Sequence, residues 1–235
     1  MSLEPQWYVD LLKERDIFFP TRIGAALTNG LQEVFEPRAQ NIRDVISRGF
    51  DKPIVLNKFL SIHAESERSG AEIIRKIAYS PSAEPVRRVM LAHAIDEDRH
   101  DRMLSGLSDY VLKRSGMKQL RPDHSTDNAQ FLAAYGGDLA GFICDTHIAE
   151  IRSHYFLDAY VLAAEASSAW YAPKIKKSVR DILLDEKNHI SYTGALISRW
   201  SKERLDLEAI CGASLQLYSE LVDKKLEKLL AMVET

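Results

Sequence analysis

The 235-residue sequence has few cysteines and no cysteine motif. Its two cysteines, Cys144 and Cys211, are far apart in the chain, and no C-x-x-C pattern occurs. Iron–sulfur clusters and structural zinc sites need closely spaced thiolates, and disulfide-stapled folds need more cysteines than two. The sequence therefore argues against all three classes, and it predicts that both cysteines are buried thiols.

Long apolar runs and a basic excess are also lacking. No uninterrupted apolar stretch approaches the ~20 residues that a membrane-spanning helix needs, and the N-terminus has no basic start followed by an apolar segment. The net charge is -3 with Lys and Arg dispersed, so neither nucleic acid nor a membrane is an expected partner. With 46% hydrophobic and 28% charged residues, the sequence predicts a soluble, cytoplasmic protein.

Strand signals are absent, and the remaining pattern is helical. Apolar residues recur at helical spacing, which predicts two or three short helices over residues 4–48, interrupted by Pro20 and Pro37. A polar loop is predicted from Gly116 to Thr126. The long predicted helices cover residues 53–79, 82–115, 138–166, 170–200 and 205–233.

Helices near 28 residues are about 42 Å long, which is far longer than the average globular helix. Short turns join the first two long helices and the next two. We therefore predict an all-α fold in which two antiparallel hairpins, linked by a crossover, pack as a four-helix bundle. N-terminal helices and the long C-terminal helix would cover it, giving one domain over residues 1–235 with a metal-binding core over 53–200.

One five-residue pattern occurs twice, on the second and fourth long helices. Residues 96–100 and residues 185–189 both read Asp-Glu-x-x-His, and no other Glu-x-x-His occurs in the chain. On a helix, positions three apart lie on one face, so each Glu and its His can reach the same metal ion. Chance alone predicts about 0.5 such matches in this composition, so two matches with the same preceding Asp favour a metal site.

A site for two ions needs one more carboxylate from each of the other two bundle helices. Glu67 interrupts an otherwise apolar helical stripe, where a charge is costly unless it is paired or metal-bound; Glu65 lies on a polar face and is expected in solvent. Glu150 lies on a mostly interior face, with Asp158 as the weaker alternative. In each hairpin the chosen carboxylates differ by only about 3 Å in distance from the turn. The predicted metal ligands are Glu67, Glu97, His100, Glu150, Glu186 and His189.

Two interpretations of these residues remain at this point. Mixed carboxylate and imidazole ligands without thiolates suit iron or manganese and disfavour structural zinc. Alternatively, the same groups could form buried ion pairs in a purely structural bundle, although such pairs stabilise poorly.

One Glu from each of two helices and Glu-x-x-His from each of the other two is a pattern that resembles the ferritin-like di-iron carboxylate superfamily. The resemblance covers roughly residues 53–200. It implies two iron ions, bridged by Glu97 and Glu186, with Glu67 and Glu150 as terminal ligands. His100 and His189 would each supply one imidazole nitrogen, one to each ion.

The same resemblance implies a role for the aspartate that precedes each motif glutamate. In several members of the superfamily that aspartate accepts a hydrogen bond from the histidine of the other motif, which fixes the orientation of the ligand. Asp96 is therefore expected to bind His189, and Asp185 to bind His100.

Histidines outside the two motifs differ in their positions relative to the predicted ligands. His93 lies four residues before Glu97 on the same face, which resembles the extra iron-binding histidine of di-iron N-oxygenases that act on arylamines. In those enzymes the extra histidine accompanies the second motif, where this chain has Ile182. His93 is thus a candidate additional ligand or a core histidine beside the site. His147 and His154 are expected to lie near the ligands or to face the substrate rather than to bind metal.

Two function classes follow from the resemblance. The first is an oxidase or oxygenase that activates O2 and oxidises a small organic substrate by hydroxylation or N-oxygenation, with no catalytic residue beyond the metal ligands. The second is a ferroxidase or iron-handling protein. About 50 residues before the bundle and a long helix after it exceed what iron storage needs, and they favour the enzyme. A tRNA hydroxylase of the same fold is a further alternative, which the charge does not support.

The sequence also bears on which electron donor the enzyme would need and on which related families are disfavoured. No flavin or iron–sulfur motif is present, so the enzyme would need an external electron donor, a reductase or a ferredoxin. A rubrerythrin-like peroxidase is disfavoured because the four-cysteine iron domain is missing. The radical-generating subunit of ribonucleotide reductase is disfavoured because Leu104 occupies the position of its tyrosine. The apolar C-terminal helix could cover either the bundle or a second subunit in a homodimer.

Overall fold

A computed structural model of the chain describes residues 6–115 and 137–234, and within these ranges it is helical without any strand. The all-α prediction is therefore confirmed. A short 3-10 helix covers Pro81–Val86. The α-helices of the described residues are α1 Gln6–Glu14, α2 Thr21–Val34, α3 Glu36–Phe50, α4 Pro53–Ala78, α5 Arg87–Arg114, α6 Leu139–Ala166, α7 Ala172–Trp200 and α8 Leu207–Glu234.

Proline positions explain how the N-terminal helices are divided. Pro20 lies directly before α2, as expected from the sequence. Pro37 does not interrupt a helix; it occupies the first turn of α3, where a backbone N–H would have no helical partner. The break between α2 and α3 falls instead at Phe35, so α3 is longer than a short covering segment.

The turn between α4 and α5 departs from the prediction of an α-helix beginning at Ser82. Residues Pro81–Val86 form a 3-10 helix, and the α-helix begins only at Arg87. Pro85 has no backbone N–H and disfavours the α-helical conformation of the residue before it, which disfavours a regular α-helix over these residues. The Arg87 side chain donates to the Ala78 carbonyl at 2.9 Å and ties the start of α5 to the end of α4.

The later helices begin close to where the sequence predicts them. Gly137, two residues before the start of α6, has a φ of 89°, a conformation that glycine adopts without strain. The predicted loop over residues 116–126 lies outside the described residues. None of the described helices combines the length and the apolar character that crossing a bilayer requires.

The described residues divide into two compact units. The first contains residues 6–45, 140–159 and 183–231, and the second contains residues 46–115, 137–139, 160–182 and 232–234. The long helices α6 and α7 each contribute residues to both. The predictions of a single domain over 1–235 and of a core over 53–200 stay predictions.

In the first unit, α2 packs closely on α8. A side chain at Gly30 would collide with Leu215, so glycine permits the close approach. Arg38 on α3 binds both carboxylate oxygens of Asp223 at 2.7 Å. Cys144 and Cys211 are buried thiols with their Sγ atoms 3.1 Å apart, which confirms the prediction for the cysteines.

In the second unit, a buried polar cluster joins α4 to α5. Asn57 Nδ2 donates to the Ser108 hydroxyl and, at 3.3 Å, to the Ser108 carbonyl. Ser61 Oγ lies 2.9 Å from Ser108 Oγ. Because these groups satisfy one another away from water, the cluster favours one register of the two helices. We call it the Asn57–Ser108 cluster.

Candidate metal centre

Seven buried histidine and glutamate side chains have ligand atoms that could hold a metal ion. All six ligands predicted from the sequence are among the seven, and so is the candidate His93. The seven are Glu67, His93, Glu97, His100, Glu150, Glu186 and His189.

Helices α4 and α5 carry four of these residues, which we call the α4–α5 ligand set. Glu97 is central to it: its Oε1 lies 3.1 Å from His93 Nε2, one turn earlier on α5. His100 Nδ1 lies 3.6 Å from the same oxygen. Across the hairpin, Gly70 lies close to Glu97: a Cβ added there would be in ordinary van der Waals contact with Glu97 Oε2, at 3.9 Å. The fourth member is Glu67.

The register of the hairpin brings Glu67 to the level of Glu97. Glu67 lies 10 residues after Asn57 on α4, and Glu97 lies 11 residues before Ser108 on α5. The two intervals are nearly equal in length along antiparallel helices. The Asn57–Ser108 cluster therefore favours the same register that places the two carboxylates together.

Glu67 supplies the clearest test of whether the residues fit a cation. Its side chain is only 4% exposed, and among the described residues its Oε1 atom has no hydrogen-bond partner. A buried carboxylate oxygen without a partner is costly, and a bound cation would satisfy it. Glu65, two residues earlier, is half-buried and forms an ion pair with Arg68. The burial of Glu67 agrees with the sequence-based choice between the two.

Helices α6 and α7 carry the α6–α7 ligand set, which consists of Glu150, Glu186 and His189. His189 Nδ1 lies 3.9 Å from Glu150 Oε2 and 3.8 Å from Glu186 Oε2. All three side chains are buried. The weaker alternative, Asp158, is 39% exposed and lies 3.7 Å from Arg43, so it is not part of the buried set.

Both ligand sets offer the same chemistry. In each motif, Nδ1 is the imidazole atom that faces the carboxylates, at His100 and again at His189. The sets contain oxygen and nitrogen donors and no thiolate, a combination that suits iron or manganese. The carboxylates of the two sets supply negative charge that would compensate a bound cation.

The aspartates before the motif glutamates were expected to bind the histidine of the other motif. Asp96 Oδ1 accepts a hydrogen bond from Arg99 at 3.0 Å, one turn along α5. The pairs Asp96 with His189 and Asp185 with His100 stay predictions.

His147, one turn before Glu150 on α6, lies in a chain of buried hydrogen bonds. Its Nε2 lies 2.9 Å from the Tyr8 hydroxyl, and its Nδ1 lies 2.8 Å from Thr193 Oγ1. Gly194 lets α7 approach, since an added Cβ there would lie 3.3 Å from His147 Cε1. Burial lowers the pKa of His147 to about 4, so its imidazole is neutral at pH 7.

His154, one turn after Glu150, stacks on Trp7 of α1. The two rings are nearly parallel, with centroids 3.9 Å apart. Burial, and secondarily the nearby Lys187 ammonium, lowers the pKa of His154 to about 4. The expectation that His147 and His154 lie near the ligands without binding metal stays a prediction.

The structure adds three residues that the sequence did not single out: Trp7, Tyr8 and Thr193. Thr193 carries a weak signal, because it lies four residues after His189 on the same helical face. Tyr8 and Trp7 carry none, since nothing in a nine-residue helix identifies a partner about 140 residues away. Their contacts place α1 against the face of α6 that carries Glu150.

The sequence matches no family model, no curated protein and no solved structure.

Proposed function

We propose that the protein is a non-haem di-iron oxidase or oxygenase of the ferritin-like kind, which uses O2 to oxidise a small organic substrate. In this proposal the α4–α5 and α6–α7 ligand sets belong to one dinuclear centre in a four-helix bundle. One observation carries the proposal. The Glu and the His of each Asp-Glu-x-x-His copy are buried together with a further glutamate, Glu67 or Glu150, from the other helix of the hairpin.

The types of ligand atom at the site indicate which metal it would bind. Four glutamates and two motif histidines, with His93 as a seventh donor, provide oxygen and nitrogen ligands for two iron ions, and manganese is the alternative metal. When bound, two iron ions would supply the electrons that reduce O2 and the oxidising power that acts on the substrate. The unpartnered Oε1 atom of Glu67 supports a cation at this position rather than a closed network of ion pairs.

The protein's own residues would orient the ligands and keep water out. Ile182 and Leu104, each within a turn or two of a ligand, are fully buried, and a dry site strengthens electrostatic interactions and protects reactive species. His147 and His154 are neutral near pH 7 and therefore add no positive charge to compete with a cation. An external electron donor would reduce the metal between turnovers.

The N-terminal helix favours an enzyme over iron storage. Through Trp7 and Tyr8, α1 contacts His154 and His147 on α6, so this part of the chain encloses one face of a ligand-bearing helix. Iron storage gains nothing from such a cover. A substrate-oxidising site needs one, because the substrate must react in a chamber closed to solvent.

The proposal is tested first by metal binding. Anaerobic titration with Fe(II), followed by elemental analysis, is expected to give two iron ions per chain. Glu67→Gln should reduce this number, whereas Glu65→Gln, its half-buried neighbour outside the set, should not. Less than about one iron per chain, or equal binding by Glu67→Gln and wild type, would contradict a dinuclear centre.

Activity then separates oxygenase from ferroxidase. The reduced, iron-loaded protein is supplied with O2, an electron donor and panels of arylamines and apolar hydrocarbons, and oxygenated products are sought by mass spectrometry. In parallel, excess Fe(II) and O2 are supplied without substrate. Continued growth of a soluble iron mineral would favour iron handling and count against the proposed oxygenase.

A further inference from the structure

We propose that Tyr8 and His147 form a redox-active pair, in which the Tyr8 phenol loses one electron while its proton moves to His147 Nε2. The inference rests on the proposed function for its natural oxidant, the O2-oxidised metal centre. It assigns a role to a residue of α1 that belongs to neither ligand set.

The hydrogen-bond chain fixes the direction of each bond. Thr193 Oγ1 lies 2.7 Å from the His189 carbonyl and 3.1 Å from the Ile190 carbonyl. A hydroxyl has one proton, and carbonyls only accept, so Thr193 donates to them and accepts from His147. His147 is then protonated on Nδ1.

The tautomer of His147 decides what Tyr8 can do. A neutral imidazole protonated on Nδ1 has a free lone pair on Nε2. The Tyr8 hydroxyl, 2.9 Å away, therefore donates its proton to a base. The acidic proton of the phenol is already directed at the atom that would receive it.

Burial couples the loss of the electron to the transfer of the proton. Tyr8 and His147 are both 0% exposed. Burial raises the pKa of Tyr8 well above its usual value, so a free phenolate does not form near neutral pH. The radical cation of a phenol is far more acidic than the phenol itself, and oxidation therefore proceeds when the proton leaves in the same event.

The step balances in atoms and electrons. The O–H bond of Tyr8 breaks, an N–H bond forms at His147 Nε2, and one electron passes to the metal centre, which is reduced by one electron. The products are a neutral tyrosyl radical and an imidazolium that still donates through Nδ1 to Thr193. Returning one electron restores the phenol and the neutral imidazole.

The pair is connected to the ligands by the same chain. Three consecutive hydrogen bonds lead from the Tyr8 hydroxyl through His147 and Thr193 to the backbone carbonyl of His189. The centroid of the Trp7 ring lies 5.9 Å from that of the Tyr8 ring and 5.8 Å from that of the Tyr155 ring. Tyr155 donates to Glu36 at 2.6 Å and is the competing site for a radical.

Another buried tyrosine provides a matched control. Tyr171 is 2% exposed, and its hydroxyl donates to the Phe50 carbonyl at 2.7 Å. A carbonyl oxygen accepts a hydrogen bond but is not a base that takes the proton. Tyr171 is thus buried and hydrogen-bonded like Tyr8, but its hydroxyl donates to a carbonyl instead of a base.

The first experiment uses the metal-free protein, so it does not depend on iron. A soluble ruthenium photo-oxidant generates radicals in a laser flash, and electron paramagnetic resonance and transient absorption follow the long-lived fraction. Wild type and Tyr171→Phe should show a persistent tyrosyl radical. Tyr8→Phe and His147→Gln should lose it, and the radical in wild type should decay more slowly in D2O, because reduction returns a proton.

The second experiment adds the metal. Iron-loaded, reduced protein is mixed with O2 without substrate and frozen, and the tyrosyl signal is expected in wild type and Tyr171→Phe but not in Tyr8→Phe. Incorporation of ring-deuterated tyrosine into wild type should narrow the signal, which identifies it without any substitution. Circular dichroism and iron content check that each variant is folded.

The outcomes separate the two proposals. A persistent Tyr8 radical in the metal-free protein together with no bound iron would refute the proposed function and retain the redox pair. Two bound irons without a Tyr8 radical in either experiment would refute the redox pair alone. A signal that survives Tyr8→Phe and disappears in Tyr155→Phe would place the radical on Tyr155 and overturn the assignment.

Discussion

The α4–α5 and α6–α7 ligand sets carry the same motif in different surroundings. Before the motif glutamate, the first copy has His93 where the second has the buried Ile182. After the motif histidine, the second copy has Thr193 where the first has the buried Leu104. The first copy thus gains a nitrogen donor beside Glu97, and the second gains a hydrogen-bond chain to Tyr8. Ligands alone suggest a symmetric site, and the neighbouring residues break that symmetry.

The largest expected effect comes from removing the motif glutamates one at a time. Glu97 Oε1 lies 3.1 Å from His93 Nε2 and 3.6 Å from His100 Nδ1, and Glu186 Oε2 lies 3.8 Å from His189 Nδ1. We expect Glu97→Ala to lose both iron ions, whereas Glu186→Ala should still bind some iron, at less than one ion per chain. Elemental analysis after anaerobic loading measures the iron content. Equal losses in the two variants would show that the copies are equivalent. Glu65→Ala serves as the control with unchanged iron content.

A smaller change tests the extra nitrogen donor directly. His93→Leu makes the first copy resemble the second, and we expect one of the two ions to bind about tenfold more weakly, which corresponds to about 1.4 kcal/mol. Competitive titration with a chelator measures the two affinities. Ile182→His is the reciprocal variant and should strengthen one site if its imidazole can reach it. An unchanged pair of affinities in His93→Leu would make His93 a core residue.

The buried histidines next to Glu150 predict a pH dependence. The pKa of His154 is lowered from 6.5 to about 4, so the unfolded chain takes up a proton at higher pH than the native protein does. The contribution to stability is complete above pH 6.5 and is lost as the pH falls from 6.5 to 4. Between pH 7 and pH 5 this loss is roughly 2 kcal/mol.

His154→Phe keeps a ring for Trp7 to stack on and removes the titration. Urea unfolding of the metal-free protein at pH 7 and pH 5 should therefore show a smaller loss of stability in the variant than in wild type. The same loss in both proteins would mean that His154 is not buried as a neutral imidazole.

The smallest effect concerns Glu67 in the absence of metal. Glu67→Gln replaces a buried charge by a neutral amide of the same shape, and we expect the free energy of unfolding in a chelating buffer to rise by about 1 kcal/mol. In saturating iron the sign should reverse, because the variant has lost a ligand. Glu65→Gln should change stability by less than about 0.5 kcal/mol under both conditions. A destabilised metal-free Glu67→Gln would show that this carboxylate has a structural partner.

Much of the fold and of the candidate site follows from local sequence signals. The sequence predicts the starts of α4 and α6 to within a residue or two, because Pro53 fixes φ in the first turn of α4 and Gly137 allows a positive φ just before α6. The six predicted ligands follow from two spacings and from charges on apolar stripes, and all six side chains are buried. Such signals depend only on residues within a few turns of one helix.

Other features could not be predicted from local sequence patterns. The 3-10 turn before α5 was predicted as α-helix, since Pro85 is also compatible with the first turn of a helix. The contact of Tyr8 with His147 joins residues 139 positions apart. Tertiary packing decides whether the hydroxyl of a helical tyrosine contacts a base or a carbonyl. The periodicity of one helix carries no information about that packing.

The Asn57–Ser108 cluster has a consequence for how the sequence can change in evolution. One residue inserted between Asn57 and Glu67 would turn Glu67 by about 100° around α4 and shift it by about 1.5 Å, away from Glu97. Insertions at residues 79–86 would leave that register intact. In homologous sequences, gaps are therefore expected in the connection between α4 and α5, with the intervals from Asn57 to Glu67 and from Glu97 to Ser108 constant in length.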